Sequence, residues 1–196
     1  MKEASERRKI YSFICALIDA LFPYQKDVLM ADEYVILVDE QDNDIGVMEK
    51  IRAHREGRLH RAFSVFIFNT RNELLLQQRA LSKYHSGGLW TNTCCSHPRP
   101  NETVKDAAHR RLFEEMGISC ELSIKTSFIY QTPFENGLTE HELDYVLTGT
   151  IRTEPNINPE EVHAYRWSAM DEVKRDVALH PEAYTSWFRI ALERIF

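Results

Sequence analysis

The sequence predicts an α+β domain: a mixed β-sheet sandwiched between helices, with an added amphipathic helix at the N-terminus. Three observations carry that reading. Short apolar runs separated by polar turns fill residues 34–79, which is strand punctuation. An acidic helical segment over 102–116 stops at Gly117. More strand-like runs follow it, and two helical segments close the chain. The 196 residues, 43% apolar and 28% charged, suit one hydrophobic core. We divide the chain into a helical extension over 1–30 and a main domain over 31–196.

Taken in order, Ile10, Phe13, Ile14, Leu17, Ile18, Leu21 and Phe22 recur at three and four residues, predicting a helix over 3–22 that ends before Pro23. Tyr34 to Asp39 reads as a strand, and the polar run Asp39 to Asp44 with Gly46 turns it into a second. Arg61 to Phe68 is the next strand, and Asn69 to Asn72 turns it into Leu74 to Arg79. Gly87-Gly88 and Pro98-Arg99-Pro100-Asn101 bracket a cysteine-bearing segment. After the helix over 102–116, strands are expected near 119–131, 142–151 and 162–168. Asp171 to Val177 and Pro181 to Phe196 are the closing helices.

Bulk properties exclude several classes. A net charge of −6 gives no general attraction to nucleic acid or anionic membrane. Cys15, Cys94, Cys95 and Cys120 lack the spacing of a secreted disulfide framework, so reduced thiols are expected. Arg7, Arg8 and Lys9 precede an apolar stretch, but Asp19 interrupts it and no small-residue cleavage site follows. No run reaches transmembrane length, and a cytoplasmic protein is the expectation.

The segment Trp90-Thr91-Asn92-Thr93-Cys94-Cys95-Ser96-His97-Pro98 sets a thiol two residues from an imidazole, just ahead of the acidic helix. In that helix the spacing Glu102-x7-Arg110-x-Leu112-x-Glu114-Glu115-x-Gly117 resembles a Nudix box. Positions 111, 114 and 115 fall within about one helical turn, so carboxylates there project together toward hard cations such as Mg²⁺. A solvated acidic face explains most acidic clusters; ordered spacing through a terminal glycine argues against it here. Two positions depart from the pattern. Ser96 stands for its opening glycine, and Arg111 stands for the glutamate that Nudix hydrolases use as a metal ligand. A guanidinium there weakens metal-assisted water attack and strengthens phosphate holding. The sequence keeps the diphosphate scaffold and drops hydrolysis.

With Arg79-Ala80-Leu81-Ser82-Lys83 and Glu140-His141-Glu142, the cysteine segment is similar to that of type 1 isopentenyl diphosphate isomerase, over about Val35 to Trp187. The resemblance implies metal-dependent transposition of a double bond between isopentenyl and dimethylallyl diphosphate, through a tertiary carbocation. It implies that Cys95 and Glu142 are the acid–base pair, that Tyr130 bonds the glutamate, and that Cys94 is packing. It makes His54, His60, His97, Glu140 and Glu142 one divalent metal site, whose mixed imidazole and carboxylate donors suit Mn²⁺ or Zn²⁺ better than Ca²⁺. Glu115 is expected to hold Mg²⁺ against the diphosphate. Lys50, Arg79, Lys83 and Arg111 match the basic diphosphate contacts, because charge-assisted contacts are the strong ones for an anionic head. Trp187 matches a ring facing the cation, and reads equally as a core tryptophan of the last helix. Phe63 and Trp90 are expected along the apolar wall. The competing readings are a Nudix diphosphohydrolase, opposed by Arg111, and a silent diphosphate-binding module, opposed by Cys95, Glu140 and Glu142 occurring together.

Overall fold

The computed structural model describes residues 34–83, 85–134 and 136–196. The expected helix over 3–22, and Cys15 within it, lie outside the described residues. The elements run β1 (Tyr34–Val38), β2 (Asp44–Glu49), α1 (Lys50–Glu56), β3 (His60–Phe68), β4 (Glu73–Arg79), β5 (Trp90–Thr91) and β6 (Cys94–Ser96). Then come α2 (Val104–Met116), β7 (Ser123–Pro133), β8 (Thr139–Thr150), β9 (Val162–Ala169), α3 (Met170–Leu179), a 3₁₀ turn (Pro181–Ala183) and α4 (Ser186–Ile195).

Among the described residues, the strands join in one mixed nine-stranded sheet. β3 is its hub, antiparallel to β1, β4 and β6 and parallel to β8. Helices cover both faces, and the alternation along β3 shows why. Phe63, Val65 and Ile67 pack with Ala107, Ala108, Leu112 and Met116 of α2. Phe66, on the other face, packs with Trp187, Phe188, Ala191 and Leu192 of α4. The sheet sandwiched between helices is therefore the observed architecture.

Several boundaries differ from the expectation for local reasons. α1 was not anticipated; Glu49 creates it by accepting from Ile51 N and Arg52 N, both at 2.7 Å, and Gly57 ends it at φ 60°. α2 starts two residues late because Thr103 is its cap, accepting from Asp106 N. Glu102 instead grips Arg110 through two hydrogen bonds of 2.7 and 2.8 Å. Gly117 does end α2, at φ 64°, where a Cβ would lie 2.6 Å from the Asn156 carbonyl oxygen. The closing helix is broken: extended Tyr184 bridges Trp90, and Thr185 N donates to the Trp90 carbonyl at 3.0 Å.

Register positions the site. In the β7–β8–β3 rows, Tyr130 lies beside Glu142 and Glu142 beside His60. In the β6–β3–β8 rows, Cys95 lies beside Ser64, which lies beside Val146. Segments distant in sequence thus converge on one sheet surface.

Candidate active site

A pocket of about 80 Å³ opens beside these rows. Its walls take residues from α1, β3, β4, β6, α2, β7, β8 and α4, and from the loops after β4, β6 and β8.

At one side the nitrogens of His54, His60 and His97 and a Glu142 oxygen lie within 4.8 Å of one another. His54 Nδ1 faces the Lys50 carbonyl at 2.6 Å and His60 Nδ1 faces that of Arg58 at 2.8 Å. Each Nδ1–H therefore donates outward and leaves Nε2 as a lone pair turned inward. His60 Nε2 lies 3.2 Å from His97 Nε2, which lies 3.0 Å from Glu142 Oε1. His54 Nε2 is buried with no hydrogen-bond partner. Inward lone pairs converging on one point, one of them otherwise orphaned, fit a divalent cation and not a hydrogen-bond network. Burial first, with His60 beside it, takes His54 down to about 4; burial likewise takes His97 down to about 3. Both imidazoles stay neutral, the form that binds metal.

The four-residue convergence does not include Glu140, which lies next to Glu142 along β8. Alternation puts Glu140 and Glu142 on the buried face of β8, while His141 turns away to the Gly57 carbonyl at 2.9 Å. Tyr130 OH donates to Glu142 Oε2 at 2.6 Å and lies 3.0 Å from Glu140 Oε2. Burial and the Glu142 charge push Glu140 up. Burial also works against the Glu142 charge, but His60 and His97 outweigh it and hold Glu142 well below the carboxylate range.

Cys95 also borders the pocket, and Cys94 does not. Successive residues of β6 point to opposite faces, so Cys94 is buried among the α2-side core residues while Cys95 packs on the α4 side. The Cys95 thiol donates to Asn92 Oδ1 at 2.9 Å and lies 3.5 Å from Ser64 Oγ. Asn92 cannot turn, since its Nδ2 donates to the Val65 and Cys94 carbonyls at 3.1 and 3.0 Å. Ser64 Oγ donates to buried Asp144 at 2.9 Å. Burial raises the Cys95 thiol, so it rests protonated. His97 is not its partner.

Basic side chains border the same pocket. Lys50, Arg79, Lys83 and Arg111 all border the pocket, and Lys50 is drawn down to about 8 by burial and by the other three charges. Arg111 donates to Glu114 at 2.7 Å and to Glu115 at 2.8 Å. Glu115 is 5% exposed, and its second oxygen accepts from Gln77 at 3.0 Å. Glu161, absent from the sequence reading, joins this group by pairing with Lys83 and, at 3.2 Å, with Arg111. Trp187, 4% exposed in the α4 core, also borders the pocket, with the Arg79 guanidinium 5.2 Å from its ring centre. Phe63 borders the pocket as expected. Trp90 does not; it lies under the Arg166 guanidinium at 4.5 Å, because pairing with Gln78 in β5 directs it away. His85, Ser64 and Gln77 border the pocket without having been anticipated.

The NUDIX domain family matches residues 58–188. The isopentenyl-diphosphate Delta-isomerase of Pectobacterium atrosepticum is 53% identical over 161 residues, covering 82% of this chain and 90% of its own. Isopentenyl-diphosphate Delta-isomerase 2 of Aromatoleum aromaticum is 51% identical, covering 84% and 87%. Among solved structures, DR0079 of Deinococcus radiodurans superposes with a TM-score of 0.71 at 21% identity, covering 84% of this chain and 99% of its own. That likeness concerns the fold alone.

Proposed function

Because the chain belongs to the isopentenyl-diphosphate Delta-isomerases of the NUDIX family, we propose that it interconverts isopentenyl and dimethylallyl diphosphate by proton transfer and leaves the diphosphate uncut. The observation that carries the reading is a pocket bordered by Cys95 and Glu142 together with Arg111, which stands in place of the hydrolytic carboxylate.

Lys50, Arg79, Lys83 and Arg111 hold the anionic head. This fixes the hydrocarbon between Cys95 and the Tyr130–Glu142 pair. One member of the Cys95/Glu142 pair delivers a proton to the terminal alkene carbon, and the electron pair of the double bond forms the new C–H bond. A tertiary cation remains at the branched carbon. The other member removes a proton from the carbon next to the diphosphate-bearing one, and those electrons become the new double bond. Tyr130 orients the glutamate for that exchange. The ring of Trp187 faces the cation and stabilises it by about 2 kcal/mol, in a space that Phe63 helps keep dry.

His54, His60, His97 and Glu142 would hold a divalent ion, Mn²⁺ or Zn²⁺, with Glu140 beside them, and Glu115 would hold Mg²⁺ against the diphosphate. Such ions supply charge neutralisation at the carboxylates and at the phosphate oxygens. Cys94, Cys95 and Cys120 are free thiols, and no helix among the described residues is long and apolar enough to cross a membrane. We place the enzyme in the cytoplasm.

Incubation with isopentenyl diphosphate and Mg²⁺, followed by proton and phosphorus magnetic resonance, tests this. Dimethylallyl diphosphate without orthophosphate is expected. Orthophosphate with an unchanged hydrocarbon would mark a diphosphohydrolase.

A further inference from the structure

Around the described residues 80–83 and 85–89 the chain is folded back on itself. Lys83 N donates to the Ala80 carbonyl at 3.2 Å, Leu89 N to that of Ser86 at 3.3 Å, and Gly88 N to that of Arg79 at 3.1 Å. Gln78 Nε2 pins the Gly88 carbonyl at 2.8 Å. A side chain at Gly87 would put Cβ 2.8 Å from the Leu81 carbonyl oxygen, Gly88 has φ +79°, and even Ser86 sits at φ 51°. So compact a turn requires the Gly87-Gly88 pair, and it drives the residue ahead of it inward.

That residue is His85, whose side chain is only 7% exposed. Its ring stacks on Phe134, with centres 5.1 Å apart and planes 24° apart. It meets Trp187 edge-on at 5.7 Å and 86°, and Phe134 meets Trp187 at 6.4 Å and 80°. Three rings each touching the other two make a rigid corner. Phe134 backs His85 from outside the pocket, and the turn closed by Phe134 N to the Leu138 carbonyl at 2.8 Å holds Phe134 there. His85 and Trp187 are the two rings of this corner that border the pocket.

We propose that His85 is a specificity-determining residue, the wall that limits the hydrocarbon of the substrate to five carbons. The inference rests on the proposed isomerase reading and adds the part of the site that reads chain size. The Nε2 of His85 lies 3.9 Å from Glu140, beyond hydrogen-bond distance, and the ring packs against Phe134 and Trp187. It contributes shape. A close-packed apolar wall distinguishes one methylene by roughly 10–200-fold.

The test compares His85→Ala and His85→Phe with the wild-type protein. Isomerisation of isopentenyl diphosphate is measured beside that of a homologue bearing an ethyl group at the branch. Calorimetric binding of the two saturated alkyl diphosphates reads the same preference without turnover. Removing the ring should shift the preference toward the homologue by about tenfold or more. The phenylalanine variant should keep the wild-type preference. An unchanged preference in folded His85→Ala, or equal relaxation in His85→Phe, overturns the proposal. Failure of the wild-type protein to isomerise the five-carbon substrate would instead strike the isomerase reading, and the binding preference would still decide the role of His85.

Discussion

The guanidinium of Arg111 lies 2.8 Å from the carboxylate of Glu115, one helical turn further along α2. A cation therefore stands beside a carboxylate of the acidic helix, at the position where a diphosphohydrolase carries another carboxylate. Lys83 and Arg111 both pair with Glu161 beside it, and under the proposed function these cations hold the diphosphate.

Replacing Arg111 by Ala removes a charge-assisted contact worth about 1.5–3 kcal/mol. The Michaelis constant for isopentenyl diphosphate should rise roughly 10–100-fold, with a smaller change in kcat, in steady-state assays. An unchanged constant would contradict its phosphate role.

The vicinal cysteines separate cleanly. Cys95→Ala should abolish turnover while calorimetry shows diphosphate affinity retained. Cys94→Ala, opening a small void beside α2, should cost about 1 kcal/mol of stability by denaturant titration and leave kcat near wild type. Exchanged outcomes would contradict the strand alternation that puts only Cys95 at the pocket.

Lys50 is drawn down to about 8 by burial and by Lys83, Arg111 and Arg79. Below that pH it is charged, the form that the proposed diphosphate contact needs; above it the charge is lost. The profile of kcat/KM should fall above about pH 8, and Lys50→Arg, whose guanidinium stays charged, should move that limb upward. A limb unmoved by the substitution would assign it to another group.

His54 and His97 are held near 4 and 3, below the ordinary histidine value of 6.5. Their neutral forms are favoured in the fold, so this stability is fully present above about pH 6.5 and is lost as pH falls toward 4 and then 3. For metal-free protein, denaturant midpoints should decline across that window. Added Mn²⁺ or Zn²⁺ at 100 times its dissociation constant should stabilise by about 2.7 kcal/mol at neutral pH. His54→Ala should remove most of the metal response, measured as thermal shift.

The sequence made legible what is local or periodic. The Gly117 stop, the strands about the Asn69–Asn72 turn and the acidic helix all follow from neighbours in the chain. The pocket residues Cys95, His97, Arg111, Glu115, Glu140 and Glu142 stand in motifs that the sequence displays, but their assembly was not legible. His60 meets Glu142 only through the parallel β3–β8 register, and such pairing leaves no local signal. α1 was hidden because its cap is a glutamate at the end of a strand. Glu161 and His85 sit in loops without a motif of their own. The Gly87-Gly88 pair was a signal for a compact turn, and that turn is what presents His85.

Solvent labelling tests most directly the claim that this scaffold moves protons and leaves diphosphate intact. With isopentenyl diphosphate in deuterated water, the account predicts deuterium on carbon in both five-carbon isomers, one intact diphosphate signal and no labelled product from Cys95→Ala. Orthophosphate release with no carbon-bound deuterium would contradict it.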